Sequence, residues 1–182
     1  QPRNKGTALL ELLRQREGRS GIVYCATRAT VERLCEALRE HGIPATRYHA
    51  GLSEEERRQY QEDFQFDRCT VMVATNAFGM GIDKPNVRFV IHYNMPKCLE
   101  AYYQEAGRAG RDGERADCIL LFSSGDINTA KFFIDNRTDN EELTPEERVR
   151  LRREDLKRLD AMVDYCKTKD CLRTAILDYF GQ

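Results

Sequence analysis

The sequence predicts an α/β fold, a parallel sheet with helices on both faces, followed by a small helical element that is cut short. Two observations carry this. Through the first two-thirds of the 182 residues, short β-branched apolar runs alternate with stretches whose apolar residues recur at helical spacing. Strands separated by helices need crossover connections, which build parallel sheets covered on both faces. After about residue 135 no strand returns and the chain reads as charged helix. The expected division is therefore 1–135 for the α/β lobe and 136–182 for the truncated helical element.

The elements follow in order. Leu9, Leu10, Leu12 and Leu13 give one apolar face to a first helix, which Gly18 closes. Gly21-Ile22-Val23-Tyr24-Cys25 reads as a buried strand. Val31, Leu34, Cys35 and Leu38 recur at helical spacing, and Gly42-Ile43-Pro44 ends that helix. A short strand is expected over 45–48. Ser53-Glu54-Glu55-Glu56 is a capping box opening a helix through Tyr60 towards Phe64. Strands are expected over 70–74, 87–93 and 116–122, with a helix over 99–106. Thr144-Pro145-Glu146-Glu147 combines an N-cap, proline at the first helical position and a capping glutamate. The helix it opens carries Leu156, Leu159, Val163 and Cys166 on one stripe, and a second bears Leu172, Ile176 and Leu177.

Composition narrows the function. The net charge is −1 and the pI about 6.4, so no global basic field marks a nucleic-acid binder and any such contact must be local. No apolar run is long enough to span a membrane, and the N-terminus lacks the apolar core of a signal peptide. Seven scattered cysteines suit reduced thiols better than a disulfide framework. An intracellular protein is expected, cytoplasmic if bacterial and nuclear if eukaryotic. The sequence starts without methionine and stops after Phe180-Gly181-Gln182, which predicts an excised fragment.

The densest chemical signal is Gln104-Glu105-Ala106-Gly107-Arg108-Ala109-Gly110-Arg111-Asp112-Gly113. Arg108 and Arg111 share a face if this stretch is helical and converge on one point if it is a tight loop. Guanidinium forks match phosphate oxygens and stay charged, and glycines such as Gly107 let the backbone approach a ligand. A second signal, Ala74-Thr75-Asn76-Ala77-Phe78-Gly79-Met80-Gly81-Ile82-Asp83, leaves a strand where parallel sheets bind ligands. Thr75 offers a hydroxyl, Gly79 and Gly81 offer N–H groups suited to phosphate, and Asp83 can accept from a ribose hydroxyl. Two weaker segments are Tyr24-Cys25-Ala26-Thr27-Arg28 and Tyr48-His49-Ala50-Gly51-Leu52. Each leaves a strand, so the Thr27 hydroxyl and nearby N–H groups can face an anion. Taken alone, His49 is more often a satisfied structural histidine than a ligand.

Together these strings resemble the second RecA-like motor lobe of RecQ-family ATP-dependent DNA helicases, the first string resembling motif VI and the second motif V. The resemblance implies that Arg111 is an arginine finger, Arg108 its partner near the γ-phosphate, and Gln104 a sensor of nucleotide state. It implies that Asp83 meets the nucleotide ribose, with Gly81 and Gly107 close to the nucleotide. Thr27, Arg28, His49, Ala50, Gly51, Thr75 and Asn76 are then expected along the backbone of single-stranded or partly duplex DNA. Such helicases hold backbone, so binding independent of sequence is expected.

Two cysteines four residues apart cannot hold structural zinc, which needs four tetrahedral ligands. The segment from Tyr165 to Gly181 nonetheless resembles the entry to the RecQ zinc-binding subdomain. That likeness implies that Cys171 is the first zinc ligand in the complete protein and that Cys166 has no metal role. Leu172 stands where the family more often has arginine. No bound zinc is expected here.

No G-x-x-x-x-G-K-[ST] loop and no acidic Walker B box occur in the sequence. The resemblance therefore implies that ATP and Mg are bound mainly by a first lobe, and that this fragment neither hydrolyses ATP nor unwinds DNA alone. Movement 3′ to 5′ and a role in repair or recombination are implied by the family and not by any residue. Two alternatives remain open: an RNA helicase lobe of the DEAD-box kind, and a non-catalytic adaptor binding protein or nucleic acid.

Overall fold

A computed structural model describes residues 4–78, 83–136 and 143–181. Two compact units emerge: the first holds residues 1–94 and 104–121, and the second holds 95–103 and 122–182.

The first unit is the α/β body. It opens with α1 (Lys5–Arg14), capped by Asn4, whose side chain accepts from the N–H groups of Gly6 and Thr7. Then follow β1 (Gly21–Tyr24), α2 (Arg28–Glu40), β2 (Ala45–Tyr48), α3 (Glu54–Gln65), β3 (Val71–Ala74) and β4 (Phe89–His92). The last turn of α4 (Leu99–Ala106) and β5 (Asp117–Leu120) complete it. All strand pairs are parallel, in the order β2-β3-β1-β4-β5. The expected strands and helices appear; β2 keeps its expected bounds and each of the other strands is shortened to four residues.

Alternation along the strands sorts side chains to two faces. Val23, Cys25, Val71, Val73, Phe89 and Ile91 meet Leu9 and Leu13 of α1 and Val31, Leu34 and Leu38 of α2. On the opposite face Ile22, Tyr24, Met72, Ala74 and Val90 meet Phe64 of α3, with Phe78 and Val87. Gly21 is required where β1 passes β4, because a Cβ there would lie 2.2 Å from the Phe89 ring.

The strand order reverses beside β1: the chain builds β2 and β3 on one flank, then crosses to β4 and β5 on the other. The carboxyl ends of β1 and β4 flank that switch point, where open α/β sheets form ligand crevices.

The second unit contains the opening of α4, then α5 (Ser124–Asp135), α6 (Pro145–Lys167) and α7 (Leu172–Tyr179). The capping box of α6 is formed, Thr144 accepting from Glu147 N–H and Glu147 from Thr144 N–H. Tyr102 packs on Tyr165, and Tyr179 donates to Glu100 at 2.9 Å. Helix α5 went unread in the sequence, where the change of character was placed after residue 135. Its opening Ser124-Gly125-Asp126 favours a turn, yet Asp126 accepts from the Ser123 N–H at 2.8 Å and starts the helix. The structure sorts α5 with the second unit.

Candidate functional site

The predicted residues lie at two ends of the sheet. At the carboxyl edge, the exits of β1, β2 and β3 stand side by side. Thr75 N–H donates to the Tyr48 carbonyl at 3.1 Å, joining the β3 and β2 exits. A Cβ on Gly51 would lie 3.1 Å from an Arg28 terminal nitrogen, so the start of α2 abuts the loop after β2. Arg28, Ala50, Gly51 and Asn76 are exposed along this edge.

The Thr27 hydroxyl is spent on a helix cap, and Thr75 and His49 are buried. Thr27 Oγ1 accepts from Thr30 N–H at 3.1 Å, capping α2. Thr75 is buried, and its Oγ1 accepts from Ala77 N–H at 3.4 Å. His49 is buried, with Nε2 2.6 Å from Glu32 Oε1, while Nδ1 accepts from Gly51 N–H at 3.1 Å. A carboxylate only accepts, so Nε2 carries the proton and Nδ1 is the acceptor. Glu32 also receives Arg47 at 2.6 Å. His49 therefore clamps the loop, and the exposed groups there are Ala50 and Gly51.

The second group hangs from a turn tied at the opposite end, although the Arg108 side chain reaches back beside Tyr24 at the carboxyl end of β1. Beyond Ala106 the chain leaves α4 and runs as tight turns, so Arg108 and Arg111 project from a loop. Gly110 has φ +66°, and its N–H donates to Val87 O at 2.9 Å, next to the entry of β4. Arg88 forms an ion pair with Asp112, tying the turn a second time. Arg111 is exposed, its Nε 3.4 Å from Gly107 O. Gln104 and Gly107 are exposed too, while Arg108 is half-buried, with no hydrogen-bond partner at Nε among the described residues.

Asp83 is exposed near this end, its carbonyl accepting from Gln65 at the close of α3 at 2.9 Å. Asp83 is thereby separated from Thr75 and Asn76, although one sequence string contains all three. Gly81 lies outside the described residues. A groove of about 650 Å³ runs along α3, lined by Tyr48, Arg57, Arg58, Gln61, Gln65 and Asp83 among others.

Reading the sequence missed the buried polar partners. His92 sits within β4, its Nε2 2.8 Å from Glu105 Oε2, and its ring stacks on Tyr24 at 5.4 Å. Burial raises the Tyr24 phenol above its ordinary pKa, and Arg108 beside it pulls in the opposite sense. The available signal was a histidine and a tyrosine at inward-pointing positions of strands otherwise apolar.

In the second unit, Cys171 is exposed at the start of α7. Its thiol makes no cap hydrogen bond of ordinary geometry, yet the opening N–H groups of the helix, that of Thr174 first, lower its pKa. That favours the thiolate a metal needs. Among the described residues, however, no group of three or more His, Cys, Asp or Glu is placed to hold a metal. One suitable thiol does not make a zinc site. Among the described residues, no helix is long and apolar enough to cross a membrane.

Comparison with known proteins agrees with this layout. The helicase conserved C-terminal domain family matches residues 4–113, and the RecQ zinc-binding family matches residues 124–182. The ATP-dependent DNA helicase RecQ of Bacillus subtilis is 48% identical over 179 residues, covering 98% of this chain and 29% of that protein. The ATP-dependent DNA helicase hus2/rqh1 of Schizosaccharomyces pombe is 43% identical, covering 90% of this chain and 12% of that protein. The chain thus spans less than a third of either relative. Among solved structures, a DEAD box protein from Methanococcus jannaschii superposes with a TM-score of 0.62 at 27% identity, covering 72% of this chain and 36% of that one. The E. coli DEAD-box protein SrmB gives 0.61 at 28% identity, covering 71% of this chain and 78% of that one. The RecA-like lobe is common ground between the two helicase groups, while identity and the appended helices favour RecQ. The chain belongs to the helicase conserved C-terminal domain family and is a C-terminal helicase region of the RecQ family.

Proposed function

We propose that this chain is the second motor lobe of an ATP-dependent DNA helicase moving 3′ to 5′ in DNA repair or recombination. One observation carries the reading: the exposed edge residues Arg28, Ala50, Gly51 and Asn76 share one parallel sheet with a doubly tied turn that presents Arg108 and Arg111.

At the carboxyl edge, Arg28, Ala50, Gly51 and Asn76 meet the sugar-phosphate backbone of a single strand. Thr27, His49 and Thr75 hold those loops in register from beneath. Contact with backbone makes the grip independent of sequence and weaker in salt. At the other end, Arg111 acts as the arginine finger, with Arg108 beside it and Gln104 reporting the nucleotide state. Asp83 accepts from the ribose, and Gly107 leaves room for the nucleotide. ATP with Mg, held mainly by a first lobe, supplies the phosphoryl group. The arginines stabilise charge that develops during its transfer, an effect of roughly 10³–10⁵ in rate where fingers have been isolated in GTPases. Only tighter nucleotide binding in the closed state drives the lobes through a cycle. Cys171 is the first zinc ligand once the remaining ligands are present.

The test is ATP hydrolysis by the full-length protein with single-stranded DNA, with RNA, and with neither, alongside this chain alone. Stimulation by DNA, and no turnover by the chain alone, is the expected result. Stimulation by RNA instead would make RNA the substrate of this lobe, and no hydrolysis at all would leave an adaptor. Arg111→Ala is expected to lower stimulated turnover by about 10³ while ATP binding stays near wild type. Unchanged turnover would remove the finger assignment.

A further inference from the structure

Beneath the turns that carry Asn76 and Arg108 lies a buried polar bridge that the proposed function does not use. Tyr24 and His92 are register partners at the carboxyl ends of β1 and β4, at the switch point of the strand order. Their rings stack at 5.4 Å with 19° between planes. On one side the Tyr24 hydroxyl donates to the Phe78 carbonyl at 3.2 Å. Phe78 closes the turn that carries Thr75 and Asn76, its N–H donating to Thr75 O at 3.0 Å. On the other side His92 Nε2 donates to Glu105 Oε2 at 2.8 Å, and the Glu105 carbonyl accepts the Arg108 N–H at 3.3 Å. Ala109 packs against the apolar cluster that contains Tyr24 and Phe78.

The side chains of this bridge are held from several directions. His92 is 1% exposed and Tyr24 3% exposed, so neither has room to swing. Burial holds the phenol protonated, with Arg108 the largest opposing influence. Its one proton is committed to the Phe78 carbonyl. A close-packed unit of this kind moves as a body, since buried contacts transmit displacement where a loop would absorb it.

We propose, resting on the helicase reading, that Tyr24 is a positioning residue: through His92 and Glu105 it couples the strand-gripping turn after β3 to the turn that presents Arg108. A strand bound at Asn76 shifts the Phe78 carbonyl, the Tyr24 ring follows, and the Glu105–Arg108 turn is carried with it. Nucleic-acid binding and arginine placement then become one event, which is what stimulation of ATP turnover by a strand requires.

The experiment uses the full-length protein and reads the ratio of kcat with and without single-stranded DNA. Tyr24→Phe keeps the ring and its stacking but removes the hydroxyl. The expected result is about a ten-fold fall in that ratio, the size expected from leaving one buried carbonyl unsatisfied. Kd for the strand should stay within about two-fold, because no residue placed along the strand is altered, while KM for ATP reads the direct contact that the Tyr24 hydroxyl makes with Arg108. Glu105→Ala should reproduce the loss, and Glu105→Gln, which still accepts from His92, should recover most of it. A ratio for Tyr24→Phe within about two-fold of wild type overturns the inference. So does a loss that tracks a matching rise in KM and Kd, or a Glu105→Gln variant as impaired as Glu105→Ala. A wild-type ratio near one overturns the helicase reading and this inference with it, an outcome distinct from the others because it appears before any substitution is made.

Discussion

Lys84 is 3% exposed, an uncommon place for an ammonium group, and three neighbours account for it. Its Nζ donates to Asp67 Oδ1 at 2.9 Å and to Gln65 O at 3.3 Å, and lies 5.3 Å from the centre of the Phe64 ring. Asp67 also accepts from Ser20 Oγ at 2.7 Å. The Ser20 hydrogen bond first, and Lys84 second, hold the Asp67 carboxyl below its ordinary pKa. A carboxylate depressed on folding contributes stability above its unfolded pKa and loses it as pH falls through the folded value. Asp67 is half exposed, so solvent screens the pair and the gain is about 1 kcal/mol. Asp67→Asn should therefore lower Tm near neutrality, and the gap from wild type should close below about pH 4. Thermal melts across pH check this, and a gap unchanged in acid would show that the charge contributes nothing.

Within the elements, the turn between α4 and β5 is the part whose backbone is least replaceable. Gly110 adopts φ +66°, and a Cβ there would sit 2.8 Å from Glu114 O; Gly113 adopts φ +84° with nothing within 4 Å. Alanine at Gly113 should cost only the left-handed penalty, about 1 kcal/mol, whereas at Gly110 it adds a backbone collision and should cost about 2 kcal/mol or more. Equal losses in denaturant melts would mean that the turn simply opens at Gly110. Sequence singled this stretch out as a candidate site but could not choose between helix and loop. Hydrogen bonding to Val87 and the Arg88–Asp112 pair decide it, and both join segments more than twenty residues apart. The parallel α/β plan was readable because each strand and helix announces itself by local periodicity. Helix α5 was not, since Gly125 and Asp126 mimic a turn until the Asp126 carboxylate finds the Ser123 N–H. The burial of His49 and Thr75 was equally hidden. A side chain's exposure depends on partners such as Glu32, which no spacing reveals.

At the scale of the whole molecule, the cysteines are distributed so that each unit carries its own buried thiols. Cys25 and Cys35 lie in the core of the first unit, and Cys98 is buried in the second. Burial pushes Cys25 up to about 12 and raises Cys35 and Cys98 as well. Cys171 is exposed and shifted the other way, while Cys118 is exposed at its surface yet raised by burial of its thiol. Alkylation consumes the thiolate, so the molecule carries a built-in clock. Iodoacetamide at neutral pH should mark Cys171 first and Cys118 more slowly, and should leave Cys25 and Cys35 untouched until the first unit opens. Mass spectrometry of samples quenched along a denaturant series would read the order. Cys25 and Cys98 acquiring their mass tags at the same denaturant concentration means one cooperative unfolding event, whereas separate midpoints mean that the α/β body and the helical unit carry independent stabilities.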